Sequence, residues 1–439
     1  MINELKITKT LQPYNKILKN IPGDKSLSIR WALLASQASG ISKAKNLLMS
    51  EDVICTLNSL KKLGVKFKLS QNICKLRGVG LNGFKYKKNV ILNAGNSGTF
   101  ARLILGLLVH AKKKIKIIGD KSLSKRDFIR VIDPLNRIGA ICKTNNGKLP
   151  LTIEGTKTPN KIKYIENKGS AQCKSAMMLA ALNIKNVSII KAKKSRNHTE
   201  LLYKYLKIPI NIFKKKHYEL IRITGGKKIN SFNYIIPSDI SSSAFFIVLT
   251  ILSKNSKLLL KKVNINPTRI GVIKILKKMG AKIFFKNIKN YKGEKVADIL
   301  IKSVKKLKPI NCPARYNSSA IDEFLIIFLV AARANGISYF KKLSELNQKE
   351  SPRLKWGSKI LNLMGVKTKT TKDSIKIYGN PDLKVDKKII IKDYLKDHRV
   401  FMASVIAALT FGGKWTIHDK DSIKTSFPSF LKIINDIKK

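Results

Sequence analysis

Residues 93–108, NAGNSGTFARLILGLL, pass without a break from a glycine-rich polar cluster into an apolar run. Ser and Asn are residue types that cap helix N-termini, and glycines let a backbone come close to a ligand. The same arrangement occurs six times. Asp24-Lys25-Ser26 leads into WALLA, Asn96-Ser97-Gly98-Thr99 into FARLILGLL, and Ser170-Ala171-Gln172 into KSAMMLAAL. Asp239-Ile240-Ser241-Ser242 leads into AFFIVLTIL, Ser318-Ser319 into AIDEFLIIFLVAA, and Asp397-His398-Arg399 into VFMASVIAAL. From 24 to 96 is 72 residues, and the later steps are 74, 69, 79 and 79. Spacing this even points to one unit used six times, with a period too long for a solenoid. Each unit is therefore expected to be a small layer of strands and helices, and the fold class α/β. The bare N–H groups and partial positive charge of a helix N-terminus attract anions, so six such ends point to small phosphorylated or carboxylated substrates.

A second signature lies between the first. Leu60-Lys-Lys-Leu-Gly64, Leu135-Asn-Arg-Ile-Gly139, Leu276-Lys-Lys-Met-Gly280 and Leu361-Asn-Leu-Met-Gly365 each read as a helix stopped by a left-handed glycine, with a strand such as KFKLS or KIFFK to follow. In the third unit Leu206-Lys-Ile-Pro209 stands where the glycine would be.

At 439 residues the chain is long enough for two or three domains. FFIVLTIL and FLIIFLVAA fall well short of the roughly 20 apolar residues that span a bilayer. MINELKITKT has neither signal-peptide nor transit-peptide character, which makes a cytoplasmic protein the expectation. The five cysteines are scattered, with no C-x-x-C, and the five histidines form no H-E-x-x-H. No metal and no cofactor is expected from them. The net charge of +62 comes from lysines spread evenly along the chain, without a basic tail and without the aromatic interleaving of a single-strand-binding surface. It is read as compositional drift rather than as a nucleic-acid-binding feature. Gly78-Val-Gly80-Leu-Asn-Gly83 fits G-x-G-x-x-G, but FKYKKNVILN follows as a strand pattern, so no dinucleotide site is read there.

Four clusters carry chemistry. They are Pro22-Gly23-Asp24-Lys25-Ser26-Leu27-Ser28-Ile29-Arg30, Asn93 to Arg102, Lys349-Glu350-Ser351-Pro352-Arg353, and Asp397-His398-Arg399. Asp322-Glu323 adds carboxylates at the matching place in another unit. Taken singly, each is also what a solvated loop with a good helix cap looks like; Glu350 reads equally as an ion-pair partner of Arg353, and Asp322 as a helix-start carboxylate.

In order, PGDKSLSIR, NAGNSGTFAR, GDKSLSKR, GSAQCKSA, SRNHTE, NPTRIG, IDEF, KESPRL, DHRVFMA and TSFPSF make the chain resemble the 5-enolpyruvylshikimate-3-phosphate (EPSP) synthase family, in its class II bacterial branch, from about residue 20 to the C-terminus. The resemblance implies a two-domain inverse α/β barrel of six βαβαββ-like repeats, three per domain, with the active site in the interdomain cleft. One domain would hold residues 1–22 plus 237–439 and the other 23–236. The implied reaction moves the enolpyruvyl group of phosphoenolpyruvate to the 5-hydroxyl of shikimate 3-phosphate and releases phosphate. It runs by addition and elimination through a tetrahedral intermediate, with no metal, no cofactor, no nucleic acid and no membrane, in a monomer.

By the same resemblance Lys25, Ser26, Arg30, Ser170, Ala171, Gln172, Arg196, Asp322 and Lys349 hold shikimate 3-phosphate. Lys25, Asn96, Gly98, Thr99, Arg126, Gln172, Arg353 and Arg399 hold phosphoenolpyruvate. Asp322 would be the base, Glu350 the acid that protonates the methylene carbon, and Lys349 the cation beside both events. The chain departs from the family at Pro352, usually Asp, at Asp127, usually Pro, and at Asn347, often Arg; Thr425 aligns with a lysine of many relatives. Ser351 is expected to cap the following helix, with Pro352 at its first position. Glyphosate mimics phosphoenolpyruvate in this family, and some tolerant members carry Ala where this chain has Gly98. The alternatives are the UDP-N-acetylglucosamine enolpyruvyl transferase family, whose loop cysteine has no counterpart here, a basic nucleic-acid-binding protein on a related repeat scaffold, and an inactive relic of the enzyme.

Overall fold

The computed structural model describes residues 3–439. It divides into two compact units. The first comprises 1–22, 237–290 and 295–439, and the second 23–236 together with the short segment 291–294. Each has its own hydrophobic core.

The second unit contains three sheets with one connectivity. In one, Val90–Asn93 pairs in parallel with Ile115–Ile118, which pairs antiparallel with Lys148–Glu154 and that in turn with Ile141–Asn145. The strands Lys163–Glu166, Val187–Lys193, Tyr218–Thr224 and Ile210–Lys214 follow the same order, as do Ile229–Asn230 with Asn233–Ile235, then Ala38–Lys45, Ile73–Val79 and Lys66–Ser70. The first unit also has three sheets, one of them ordered Lys282–Tyr291, Glu294–Lys302, Lys257–Asn264, Asn15–Leu18.

Helices that are apolar on all sides must be covered on all sides. Ile240–Leu252, Phe324–Ala332 and His398–Phe411 are buried along their whole length and pack on one another at the centre of the first unit. In the second, Gly98–Leu107 packs on both Ala171–Ala181 and Lys25–Ser36, and the three are buried except at Lys25, Ser26, Thr99, Arg102, Ala171 and Gln172, which stay half-buried. Gly106 allows the closest of these contacts: a Cβ there would lie 2.1 Å from the Ala176 carbonyl oxygen, so only glycine lets the two helices approach and bring their N-terminal ends together.

Five of the six helix starts are capped as the sequence indicates. Asp24, Ser97, Ser170, Asp239 and Asp397 each accept a backbone N–H of the first turn through the side chain. The fifth start in chain order differs. Asn317–Ala320 is a single turn, the chain bends at Ile321 to Glu323, and the apolar helix begins at Phe324 with no side-chain cap; the Ser319 hydroxyl bonds the Tyr316 carbonyl instead. The helix-ending glycines Gly64, Gly139, Gly280 and Gly365 all have positive φ, and Lys207 takes the left-handed conformation at 56° where the glycine is missing.

Lysines do meet aromatic rings. Lys341 and Lys376 lie over Tyr339, and Lys367 lies over Tyr378, on adjacent strands of one sheet.

Candidate active site

In the second unit the cations of the helix starts are held largely by neutral groups. Ser97 starts the helix that carries Gly98, Thr99 and Arg102, and Ser170 starts the helix that carries Ala171 and Gln172. The Gln172 amide joins them: its nitrogen donates to Thr99 Oγ1 at 3.0 Å and its oxygen accepts from Arg102 Nη1 at 2.9 Å. Arg126 Nη2 donates to Asn96 Oδ1 at 2.9 Å, and Asn96 Nδ2 donates to Asp120 Oδ2 at 2.6 Å. Gly98 sits against these cations, since a Cβ there would lie 2.9 Å from Arg102 Nη1 and 3.0 Å from Arg126 Nη1. At the first helix, Lys25 Nζ pairs with Asp52 Oδ2 at 2.9 Å. Arg30, farther along the same helix, is buried and donates to the Thr199 and Ser175 hydroxyls and to the Ser26 carbonyl. Arg196 lies half-buried just before the helix His198–Tyr205.

Asp127 turns out to be a helix-start carboxylate. Its Oδ1 accepts the Ile129 N–H at 2.7 Å, and its Oδ2 lies 3.8 Å from Arg130. Arg102 is the residue to which the sequence reading gave no role. Its guanidinium ties Gln172 to the Gly98 and Asp127 carbonyls and lies 4.8 Å over the Phe128 ring. Burial, with Arg126 nearby, lowers its pKa to about 10. Ser195 was also passed over. Its buried Oγ, one residue before Arg196, has no partner among the described residues.

In the first unit the cations are held by carboxylates. Arg353, 2% exposed, reaches Asp397 through Nε at 2.8 Å and Nη2 at 3.2 Å, and Asp322 through Nη1 at 3.4 Å. It also pairs with Glu350. Lys349 Nζ lies 3.3 Å from Asp322 Oδ1. Arg399 donates to the Asp322 backbone carbonyl at 2.8 Å and lies 3.8 Å from Glu323. Burial alone pulls the Arg353 pKa down, but Asp397, Glu350 and Asp322 outweigh it and hold the cation well above the usual arginine value. Burial pushes Asp397 up, and Arg353 more than reverses this, so its carboxyl titrates below the ordinary range.

Two expectations about this segment change. Ser351 does not cap the helix Arg353–Leu363; its hydroxyl donates to Asp397 Oδ2 at 2.9 Å, and Pro352 occupies the cap position without a side-chain bond. A carboxylate at 352 is not needed to steady Arg353, because Asp397 already does so. Asn347 donates to the Lys372 carbonyl, and the Thr425 hydroxyl lies 3.2 Å from His398 Nδ1. The five cysteines are free thiols, and no described helix is long and apolar enough to cross a membrane.

Comparison with known proteins points to one family. The family model for EPSP synthase (3-phosphoshikimate 1-carboxyvinyltransferase) matches residues 9–434. A 3-phosphoshikimate 1-carboxyvinyltransferase of Ruthia magnifica is 42% identical over 418 residues, covering 95% of this chain and 94% of the relative. One from Vesicomyosocius okutanii is 40% identical over 430 residues, covering 97% of each. Among solved structures, EPSP synthase from Acinetobacter baumannii superposes with a TM-score of 0.86 at 33% identity, covering 99% of this chain and 98% of that one. The enolpyruvyl transferase NikO of Streptomyces tendae shares the fold, with a TM-score of 0.76 at 13% identity over 99% of this chain and 97% of its own.

Proposed function

The chain belongs to the EPSP synthase family, and on that premise we propose a division of labour among its residues in the family's reaction. The protein transfers the enolpyruvyl group of phosphoenolpyruvate to the 5-hydroxyl of shikimate 3-phosphate and releases phosphate. Both substrates are multiply charged anions that repel each other, so the protein must supply cations and N–H donors in fixed positions before they arrive. Lys25, Ser26, Arg30, Ser170, Ala171, Gln172 and Arg196 take shikimate 3-phosphate. Asn96, Gly98, Thr99, Arg126, Arg353 and Arg399 take phosphoenolpyruvate, with Lys25 and Gln172 serving both. The arginines suit the task because a planar fork bonds carboxylate and phosphate oxygens in pairs. We further propose that the protein acts as a cytoplasmic monomer without cofactor.

Asp322 is the base for the 5-hydroxyl proton, Glu350 the acid toward the methylene carbon, and Lys349 the cation next to the base. The observation that supports this reading is the setting of Asp322, whose carboxylate meets Lys349 and Arg353 while its backbone carbonyl binds Arg399. A carboxylate so placed has substrate-binding cations on either side of it. Glu350 pairs with Arg353. An incoming anion takes over Arg353, and Glu350 is then released toward the reacting carbon.

The deciding experiment measures phosphate release at moderate salt with both substrates, with each alone, and with Asp322→Asn. Release that needs both substrates and falls about 100- to 10,000-fold in the variant supports the assignment. Release that survives the substitution removes Asp322 as the base, and no release by the parent protein marks a chain that has kept the fold and lost the activity.

A further inference from the structure

Arg30, Ser175 and Thr199 form a closed triangle of hydrogen bonds in the second unit. Arg30 Nε donates to Thr199 Oγ1 at 2.9 Å, Arg30 Nη2 donates to Ser175 Oγ at 3.1 Å, and the two hydroxyls lie 2.7 Å apart. Arg30 is 4% exposed, and Ser175 and Thr199 are 1% exposed. The three residues come from three helices, Lys25–Ser36, Ala171–Ala181 and His198–Tyr205. A buried ion pair between the neighbouring residues, Lys174 Nζ to Glu200 Oε1 at 2.6 Å, fastens the last two helices to each other. Hydroxyls of Ser and Thr inside helices commonly bond back to their own helix carbonyls. Here both are turned onto a guanidinium from another helix.

We propose that Ser175 and Thr199 are positioning residues for shikimate 3-phosphate, acting through Arg30. A guanidinium offers an oxyanion two bidentate edges, Nε with Nη2 at its side and Nη1 with Nη2 at its end. The two hydroxyls take the side edge. Nη1 is in addition tied to the Ser26 carbonyl at 3.2 Å, so rotation about the last side-chain bonds is fixed from both directions. An oxyanion of the substrate is therefore met end-on, in one plane, by a group that needs no ordering on binding. Neutral acceptors do this without cancelling the positive charge, which a carboxylate in the same place would do. The inference rests on Arg30 being a shikimate 3-phosphate ligand.

The test is equilibrium binding of shikimate 3-phosphate to the full-length protein, with steady-state kinetics alongside. Thr199→Val keeps the shape and removes the acceptor. It should weaken shikimate 3-phosphate about tenfold, as expected for losing a hydrogen bond to a charged group, and change KM for phosphoenolpyruvate less than about twofold. Thr199→Ser, which keeps the hydroxyl, should restore the affinity. Should Thr199→Val fail to fold, Ser175→Ala makes the same measurement with a smaller change. Arg30→Lys separates the two readings. If it leaves binding intact, Arg30 is not a ligand and both fall. If it weakens binding while Thr199→Val and Ser175→Ala do not, the ligand stands and the positioning role is overturned. In the Arg30→Lys background Thr199→Val should add less than about a twofold further loss, because its route of action is already gone. An equal loss in both backgrounds would mean that Thr199 acts on the fold in general, and would overturn the proposal.

Discussion

The arginines of the candidate site are held in opposite ways in the two units. In the first, Arg353 and Arg399 sit among Asp322, Glu323, Glu350 and Asp397. In the second, Arg30, Arg102 and Arg126 meet the hydroxyls, amides and carbonyls of Thr199, Ser175, Gln172 and Asn96. The difference is one of charge balance. A cation among carboxylates is fixed strongly but is already neutralised, and an incoming anion has to displace a like-charged neighbour. A cation among neutral acceptors is fixed less strongly and keeps its charge for the substrate. The first arrangement suits a centre where protons move between acids and bases, and the second suits a binding platform.

Breaking one contact in each unit exposes the contrast. Asp397→Ala strips buried Arg353 of its principal counterion and should cost about 3–5 kcal/mol of stability, read from urea unfolding. Asn96→Ala removes a neutral acceptor from Arg126 and should cost only about 1 kcal/mol, with the larger change in KM for phosphoenolpyruvate. Equal costs for the two would dissolve the comparison.

Acid sharpens it. Asp397 titrates below the ordinary carboxylate range in the folded chain. Its stabilisation is therefore fully present above the unfolded value, about 3.9, and is lost as pH falls through the lower folded value. Thermal midpoints of the parent protein should drop more steeply below about pH 4 than those of Asp397→Asn, which has no such proton to gain. Parallel curves would show that Asp397 does not carry the acid sensitivity.

The smallest effect concerns Gly98. A methyl there comes 2.9 Å from Arg102 Nη1 and 3.0 Å from Arg126 Nη1, both at the ends of long side chains. Gly98→Ala should fold normally and shift those guanidinium groups by tenths of an ångström. KM for phosphoenolpyruvate and the inhibitory concentration of glyphosate should each rise several-fold, the equivalent of about 1 kcal/mol. Unchanged inhibition would remove the steric account.

Much of this was legible in the chain. Asp24, Ser97, Ser170, Asp239 and Asp397 cap their helices because capping involves only a residue and the backbone two or three positions on, which sequence displays directly. Ser319 and Ser351 have the right residue type in the right local pattern and cap nothing. Tyr316 takes one hydroxyl, and Asp397, 46 residues away in sequence, takes the other. Arg102 could be quoted within a motif but not given a task, since its partner Gln172 lies 70 residues distant. Asp127 adjoins Arg126 in the chain, yet the fold turns its carboxylate onto the Ile129 N–H.

By itself, then, the sequence determined the helix starts and stops, the apolar faces that must be covered, and the ordered motifs that carry the family. These depend on spacing along one backbone and on side-chain type. The tertiary structure alone decided which acceptor each arginine meets. A guanidinium several ångströms from its own backbone bonds whatever the packing of distant helices brings within about 3 Å, and that distance is written nowhere in the order of the residues.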